Sequence, residues 1–176
     1  PIWLARRTSP APWATCRSGS GGICTTTKSS EMRVVLDTNV WLDWLVFDDP
    51  SVAALKSAHA TGQIQIVIDP ACLDELRNVL AYPQFQLDPK TQVALGSTAE
   101  AIANARYERS ANIARLPRCP DPDDQKFLEL ARDSQADWLI TKDKALLEIR
   151  RGQLKGTTFR IATPVQWADT DSQLGL

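Results

Sequence analysis

VVLDTNVW, residues 34–41, is the stretch whose reading decides the fold. Val34, Val35 and Leu36 form a short apolar run without alternation, the pattern of a strand covered on both faces. Asp37, Thr38 and Asn39 end it with three polar groups, so the strand meets a loop that opens on a carboxylate. Positions 39–47 then look helical, with Val40, Trp44 and Phe47 along one side. Asp49 before Pro50 gives an N-cap and a first-turn proline, which predicts a helix to about Ala60, stopped by Gly62. Ile64 to Ile68 reads as a second strand. Pro70 opens a helix whose face is Cys72, Leu76, Val79 and Leu80, ending near Pro83. Asp88-Pro89 caps a longer helix over roughly 89–107, and 108–120 read as irregular. Asp121-Pro122 starts a helix through Ala131, Trp138 to Thr141 is a third strand and Lys144 to Arg150 a helix. Thr158 to Ile161 is a fourth strand, and Pro164 begins a last short turn of helix. Strands alternating with helices of about ten or more residues predict an α/β fold, a parallel sheet covered on both faces.

Upstream of this stretch the character changes. Residues 1–31 hold Pro1, Pro10 and Pro12, the run Ser18-Gly19-Ser20-Gly21-Gly22 and the run Thr25-Thr26-Thr27, without apolar periodicity. That is the composition of a disordered segment. Arg6-Arg7 is not followed by the apolar stretch a signal peptide needs. Met32, the chain's one methionine, stands immediately before the first strand. The expected organisation is a disordered or non-native N-terminal extension over 1–31 and one domain over 32–176. Arg6, Arg7, Arg17 and Lys28 but only one acid, Glu31, precede Met32, so the domain is mildly acidic although the whole chain carries 20 basic and 21 acidic residues.

A chain of 176 residues, 43% of them hydrophobic, can bury a core of ordinary size. No apolar run approaches the roughly 20 residues of a membrane-spanning helix, so no membrane association is expected. The near-balance of charge gives no bulk signal for a polyanion. A single histidine, His59, expected at the surface, excludes most His-based catalysis and His-rich metal sites. Cysteines 16, 24, 72 and 119 form no CxxC pair and read as buried or incidental thiols of a reducing cytoplasm. The chemistry therefore falls to carboxylates, hydroxyls, lysine or cysteine.

Four acids occupy matching positions. Asp37 ends the first strand and Asp143 the third, and open parallel sheets build sites beyond the carboxyl ends of their strands. Glu75 lies three residues past Cys72 and four before Val79, on the inward side of its helix. Asp124 precedes Phe127, Leu128 and Ala131 by three, four and seven residues, again an acid on an apolar stripe. Such an acid is costly unless paired or bound to a metal. Any one of them also fits a cap or a solvated helix position; their joint occurrence predicts one shared pocket. Four carboxylates without histidine suit a hard cation such as Mg²⁺ or Mn²⁺. That cation can activate water and stabilise charge on a phosphodiester. Thr38, Asn39 and Thr141 supply nearby hydroxyl or amide groups.

The stretches VVLDTNVW at 34–41, LDELRNVL at 73–80, DPDDQKFLELA at 121–131 and LITKD at 139–143 resemble the four acidic motifs of PIN domains. The similarity is greatest to the branch of toxin components of toxin–antitoxin systems, related to VapC-type toxins. It covers 32 to about 168, with 38, 49 and 19 residues between successive acids. The resemblance implies a three-layer α/β/α sandwich with a central, mostly parallel sheet, and a cytoplasmic Mg²⁺- or Mn²⁺-dependent ribonuclease. It implies Asp37, Glu75, Asp124 and Asp143 as catalytic and metal-binding acids, with Asp121 as an accessory. The family often has Gly or Arg before its fourth acid, where this chain has Lys142, a candidate for binding the RNA phosphate. Lys144, Arg150 and Arg151 lie further along, where a solvated surface or helix-end role is the simpler reading. A cognate antitoxin that inserts a segment, with an arginine, into the acidic pocket is a further implication. Homodimerisation is another, favoured by Trp41 and Trp44, although core packing suits those tryptophans better.

Two other readings fit less of the sequence. A receiver domain needs paired acids after its first strand, but Asp37 is followed by Thr38 and Asn39, and the same Asn39 excludes a DxD phosphatase. A PIN fold serving as an RNA- or protein-binding scaffold without catalysis needs none of the four acids, all of which are present.

Overall fold

The structure, a computed structural model, describes residues 32–103, 116–149, 154, 157 and 159–174. Strand β1 (Met32–Leu36) lies inside a sheet with β2 (Ile64–Val67), β3 (Trp138–Ile140) and β4 (Arg160–Ala162), in the order β2-β1-β3-β4. Every neighbouring pair is parallel, and Val34 stands opposite both Ile66 and Trp138. The helices are α1 (Thr38–Leu42), α2 (Ala53–Ala60), α3 (Pro70–Leu80), α4 (Pro89–Ile102), α5 (Gln125–Asp133), α6 (Lys144–Leu147) and α7 (Pro164–Leu174).

The apolar run of β1 is buried on both sides because successive side chains face opposite layers. Val34 and Leu36 join Ile64, Ile66, Trp138 and Ile140 in one core, covered by Leu55 of α2, Leu73, Leu76 and Leu80 of α3, and Trp167 of α7. Val35, Val67 and Leu139 face the other core, filled by Phe127, Leu128, Leu130 and Ala131 of α5 with Leu146 and Phe159. The three-layer expectation is met. Helix α3 reaches both cores: Cys72 belongs to the second and its three leucines to the first. This places Glu75 at the junction of the layers.

The expected caps form. Asp49 accepts from the Ser51 amide at 2.7 Å ahead of Pro50, and Asp88 accepts from Lys90 and Thr91 ahead of Pro89. Each such cap stabilises its helix by about 1 kcal/mol. Chain direction positions the site: β1 leads to β2 on one side and β3 to β4 on the other. The gap beyond the carboxyl ends of β1 and β3 is therefore the switch point at which such sheets carry ligands.

Several elements depart from expectation. The helix foreseen over 39–47 breaks at Asp43, where a wider π turn (Asp43–Phe47) replaces the α-helix and ends on Asp48 at φ 48°. The wider turn shifts the phase of the side chains. Trp44 is only half-buried, and Phe47 is 57% exposed with its ring 6.0 Å from Phe85. In α3 the buried stripe runs through Leu73 and Leu76, leaving Val79 half-buried. The last helix has 11 residues rather than a short turn, because Trp167 is buried in the first core, where α7 packs on α2. Strand β4 spans Arg160–Ala162; Thr158, Arg150, residues 104–107 of the foreseen long helix and the segment 1–31 lie outside the described residues. His59 is half-buried, with Nε2 3.1 Å from the Ile102 carbonyl oxygen and its ring edge-on to Trp44, rather than at the surface. Among the described residues no helix is long and apolar enough to cross a membrane.

Candidate functional site

Asp37 is the first residue beyond β1. It is 4% exposed, and its Oδ2 accepts from the Thr141 hydroxyl at 2.5 Å and the Asn39 amide at 2.6 Å. Burial pushes this carboxyl up to about 6. The Glu75 charge adds to the rise, while the bonds from Thr141, Thr38 and Asn39 oppose it. Thr141 is also the acceptor for the Asp143 amide at 2.9 Å, so one hydroxyl ties together the loops that follow β1 and β3. Asn39 repeats the link, its Oδ1 accepting from the Lys142 amide at 3.2 Å. Asp143 caps α6: its Oδ1 accepts from Ala145 at 2.7 Å and Leu146 at 3.3 Å, which fixes the side chain beside the crevice.

The remaining acids arrive from helices. Glu75 on α3 accepts the Thr38 hydroxyl at 2.9 Å on Oε1. Asp124 ends a 3₁₀ turn (Pro122–Asp124) at the start of α5 and makes no capping bond with its side chain. Burial pushes its carboxyl up to about 6, and Asp37, Asp143, Asp121 and Glu75 all raise it further. Five carboxylates therefore share one field. Asp121 itself caps the 3₁₀ turn by accepting from the Asp123 amide at 2.9 Å.

The lysines are placed differently from expectation. Lys142 turns its ammonium to Asp43 at 2.6 Å and Asp49 at 3.5 Å rather than to any of the four motif acids. Burial works against its charge, and those two carboxylates outweigh it, so the group is held above its ordinary value. Lys126, unnoticed in the sequence, is ion-paired with Oε2 of Glu75 and donates to the Asp123 carbonyl at 2.7 Å. Its position two residues past Asp124, in the first turn of α5, was the available signal. Asp43, a buried acid inside the π turn, was likewise missed. Arg151 lies outside the described residues, and Lys144 is exposed. Trp41 is 1% exposed and packs in the first core, with its ring 6.3 Å from that of Trp44. Burial pushes the Cys72 and Cys119 thiols up, which keeps them protonated and unsuited to nucleophilic work.

Among the described residues, no three His, Cys, Asp or Glu side chains stand close enough as placed to hold one metal ion together. The donor chemistry nonetheless suits a hard cation. Four carboxylates and no histidine face the crevice, and two are raised to about 6 by burial and like charge, a strain that a cation relieves.

A family model described as PIN domain matches residues 33–145, more than half of the chain and all four motif acids. No curated protein and no solved structure matches the chain.

Proposed function

The chain belongs to the PIN domain family, whose members are in general nucleases that usually use divalent metals, and on that premise we propose a metal-dependent endoribonuclease, the toxin of a toxin–antitoxin pair. The observation that carries the reading is the joining of motif acids at the switch point: Thr141 donates to Asp37 and accepts from the Asp143 amide, and Thr38, next to Asp37, donates to Glu75. Mg²⁺ or Mn²⁺ would be drawn to the pocket of Asp37, Glu75, Asp124 and Asp143. When bound, such a cation supplies the Lewis acidity that phosphodiester hydrolysis requires.

The chain's own residues prepare that pocket. Thr141 and Asn39 lock the Asp37 carboxylate with two short hydrogen bonds, so it need not reorganise when charge develops. The amides of Ala145 and Leu146 do the same for Asp143, and the Thr38 hydroxyl for Glu75. Asp121 acts as an accessory, adding negative potential at Asp124. Lys142, next to both Thr141 and Asp143, is the residue we assign to the RNA phosphate.

A cytoplasmic antitoxin that covers the acidic crevice fits this reading, and an arginine is the side chain suited to insertion there. A homodimer remains part of the proposal, without support from the tryptophans, since Trp41 is core and Trp44 packs on Trp41 and His59.

The test is RNA cleavage by the purified full chain in Mn²⁺, Mg²⁺ or EDTA, beside Asp37→Asn and Asp124→Asn. Cleavage that needs metal and disappears in both variants supports the reading. Cleavage indifferent to EDTA, or retained in Asp37→Asn, overturns it. Metal binding without cleavage of any RNA returns the fold to a scaffold role.

A further inference from the structure

Beside the crevice lies a second opening, lined by Arg118, Cys119, Pro122, Gln125 and Glu129. Resting on the ribonuclease reading, we propose that it is the subsite for a guanine nucleotide next to the bond that is cut. The opening measures about 480 Å³, within the range of pockets that take small organic groups. It adjoins the crevice through the turn Pro122–Asp124. Pro122 lines the opening, and Asp124, at the other end of the turn, shares the acidic field. Burial is the first cause that raises the Cys119 thiol, and the charges of Asp124, Asp121 and Asp143 add to it. This wall therefore lies within electrostatic reach of the crevice acids.

The polar groups of the opening are complementary to one base. Gln125 and Glu129 stand one turn apart on α5, on the same side of the helix. Oε1 of Gln125 accepts from the Cys119 amide at 2.8 Å, which leaves its NH₂ group as the donor to a ligand. Glu129 is half-buried, and the cations at helical spacing from it are turned elsewhere: Lys126 pairs with Glu75 and Arg132 with Asp133. Arg118 is exposed at the same opening, and among the described residues it forms no ion pair with Glu129. A free carboxylate, an amide donor and a guanidinium beside the apolar Pro122 ring match guanine. Its Watson–Crick edge sets N1–H and N2–H₂ side by side, two donors that one carboxylate accepts together. The neighbouring O6 is an acceptor for the Gln125 amide. Adenine and cytosine turn a ring-nitrogen lone pair toward the same carboxylate, and uracil offers it one N–H between two carbonyl oxygens. Arg118 takes the phosphate of that nucleotide. Glu129 thus determines specificity without touching the reacting atoms.

The experiment uses the full chain and two kinds of probe. The first is a set of uridine oligoribonucleotides that carry a single guanosine, inosine or adenosine, cut in Mn²⁺. The second is NMR titration with guanosine or adenosine 5′-monophosphate in EDTA. The wild type is expected to cut beside guanosine with kcat/KM at least about tenfold above adenosine, with inosine, which lacks the N2 amine, in between. The mononucleotides should bind in the same order. Glu129→Gln should lower kcat/KM for the guanosine oligomer about tenfold and change the adenosine oligomer by less than about twofold. Arg118→Ala should weaken both mononucleotides by the same factor and leave the preference intact. Thermal melts check that each variant folds. If Glu129→Gln does not, the wild-type preference and Arg118→Ala decide. Equal cutting beside guanosine and adenosine, or an equal loss on both oligomers in Glu129→Gln, overturns the inference and leaves the ribonuclease reading standing. A wild type that cuts no RNA yet prefers the guanine mononucleotide removes the ribonuclease reading and leaves the guanine site. No cutting and no preference removes both.

Discussion

The faces of the sheet and Asp37 at its carboxyl edge are buried to a similar degree, yet they are built on opposite principles. On the faces, Val34, Val35, Leu139 and Ile140 are fully buried among apolar side chains, and every contact favours folding. At the edge, one residue beyond the same strand, Asp37 is 4% exposed among like charges, and its ionisation opposes folding. The faces supply the stability that the edge spends on holding acids together. Neighbouring positions on one strand can therefore respond to substitution with opposite signs.

The largest effect is expected on the faces. Phe127→Ala removes a fully buried ring from α5 and should cost about 3–5 kcal/mol, read from equilibrium urea unfolding. A loss well below that would show that the second core can collapse around the gap. At the edge, Asp37→Asn should lower metal-dependent RNA cleavage at least about a hundredfold, equivalent to about 2.7 kcal/mol of barrier.

The same substitution should stabilise the metal-free fold. The folded Asp37 carboxyl, at about 6, lies above its ordinary value of 3.8. Its contribution is therefore full below 3.8 and is lost as the pH rises through about 6. Metal-free wild type should lose stability between roughly pH 4 and pH 7, and Asp37→Asn should regain about 2 kcal/mol at the upper end. Melting curves against pH, recorded in EDTA, check this, and an Asn variant less stable than wild type at pH 8 would break the comparison. Millimolar Mn²⁺ should raise the melting temperature of wild type by a few degrees and that of Asp37→Asn by less, because ions that bind only the native state stabilise it. The smallest effect belongs to neither region. Lys56→Ala removes an exposed ion pair with Asp48, should change stability by less than about 0.5 kcal/mol, and should leave cleavage untouched.

The places of the four acids in the fold were legible because each is announced locally: two follow apolar strands, and two sit at helical spacing from buried residues. The caps at Asp49 and Asp88 were legible for the same reason, since a cap needs only the residues beside it. Lys126 was not. A lysine in the first turn of an amphipathic helix has the pattern of a solvated residue, and only the packing of α3 on α5 brings Glu75 within its reach. Lys142 was noticed, but its partners were not, because Asp43 faces it only through a π turn that periodicity arguments do not anticipate. The length of α7 was missed because its anchor, Trp167, is held by the distant helix α2.

Strand β1 has a practical consequence for handling the protein. It enters the sheet at Met32 and leaves it at Leu36, immediately before Asp37, so the strand separates two rims. At about 3.3 Å per residue, Met32 lies about 16 Å from Asp37. The turn around Gly62, which leads into β2, shares the far rim with Met32, whose amide bonds to the Gln63 carbonyl at 3.2 Å. An affinity handle, a fluorophore or a surface linker attached at this rim therefore leaves the acidic crevice pointing outward, open to a long polymer.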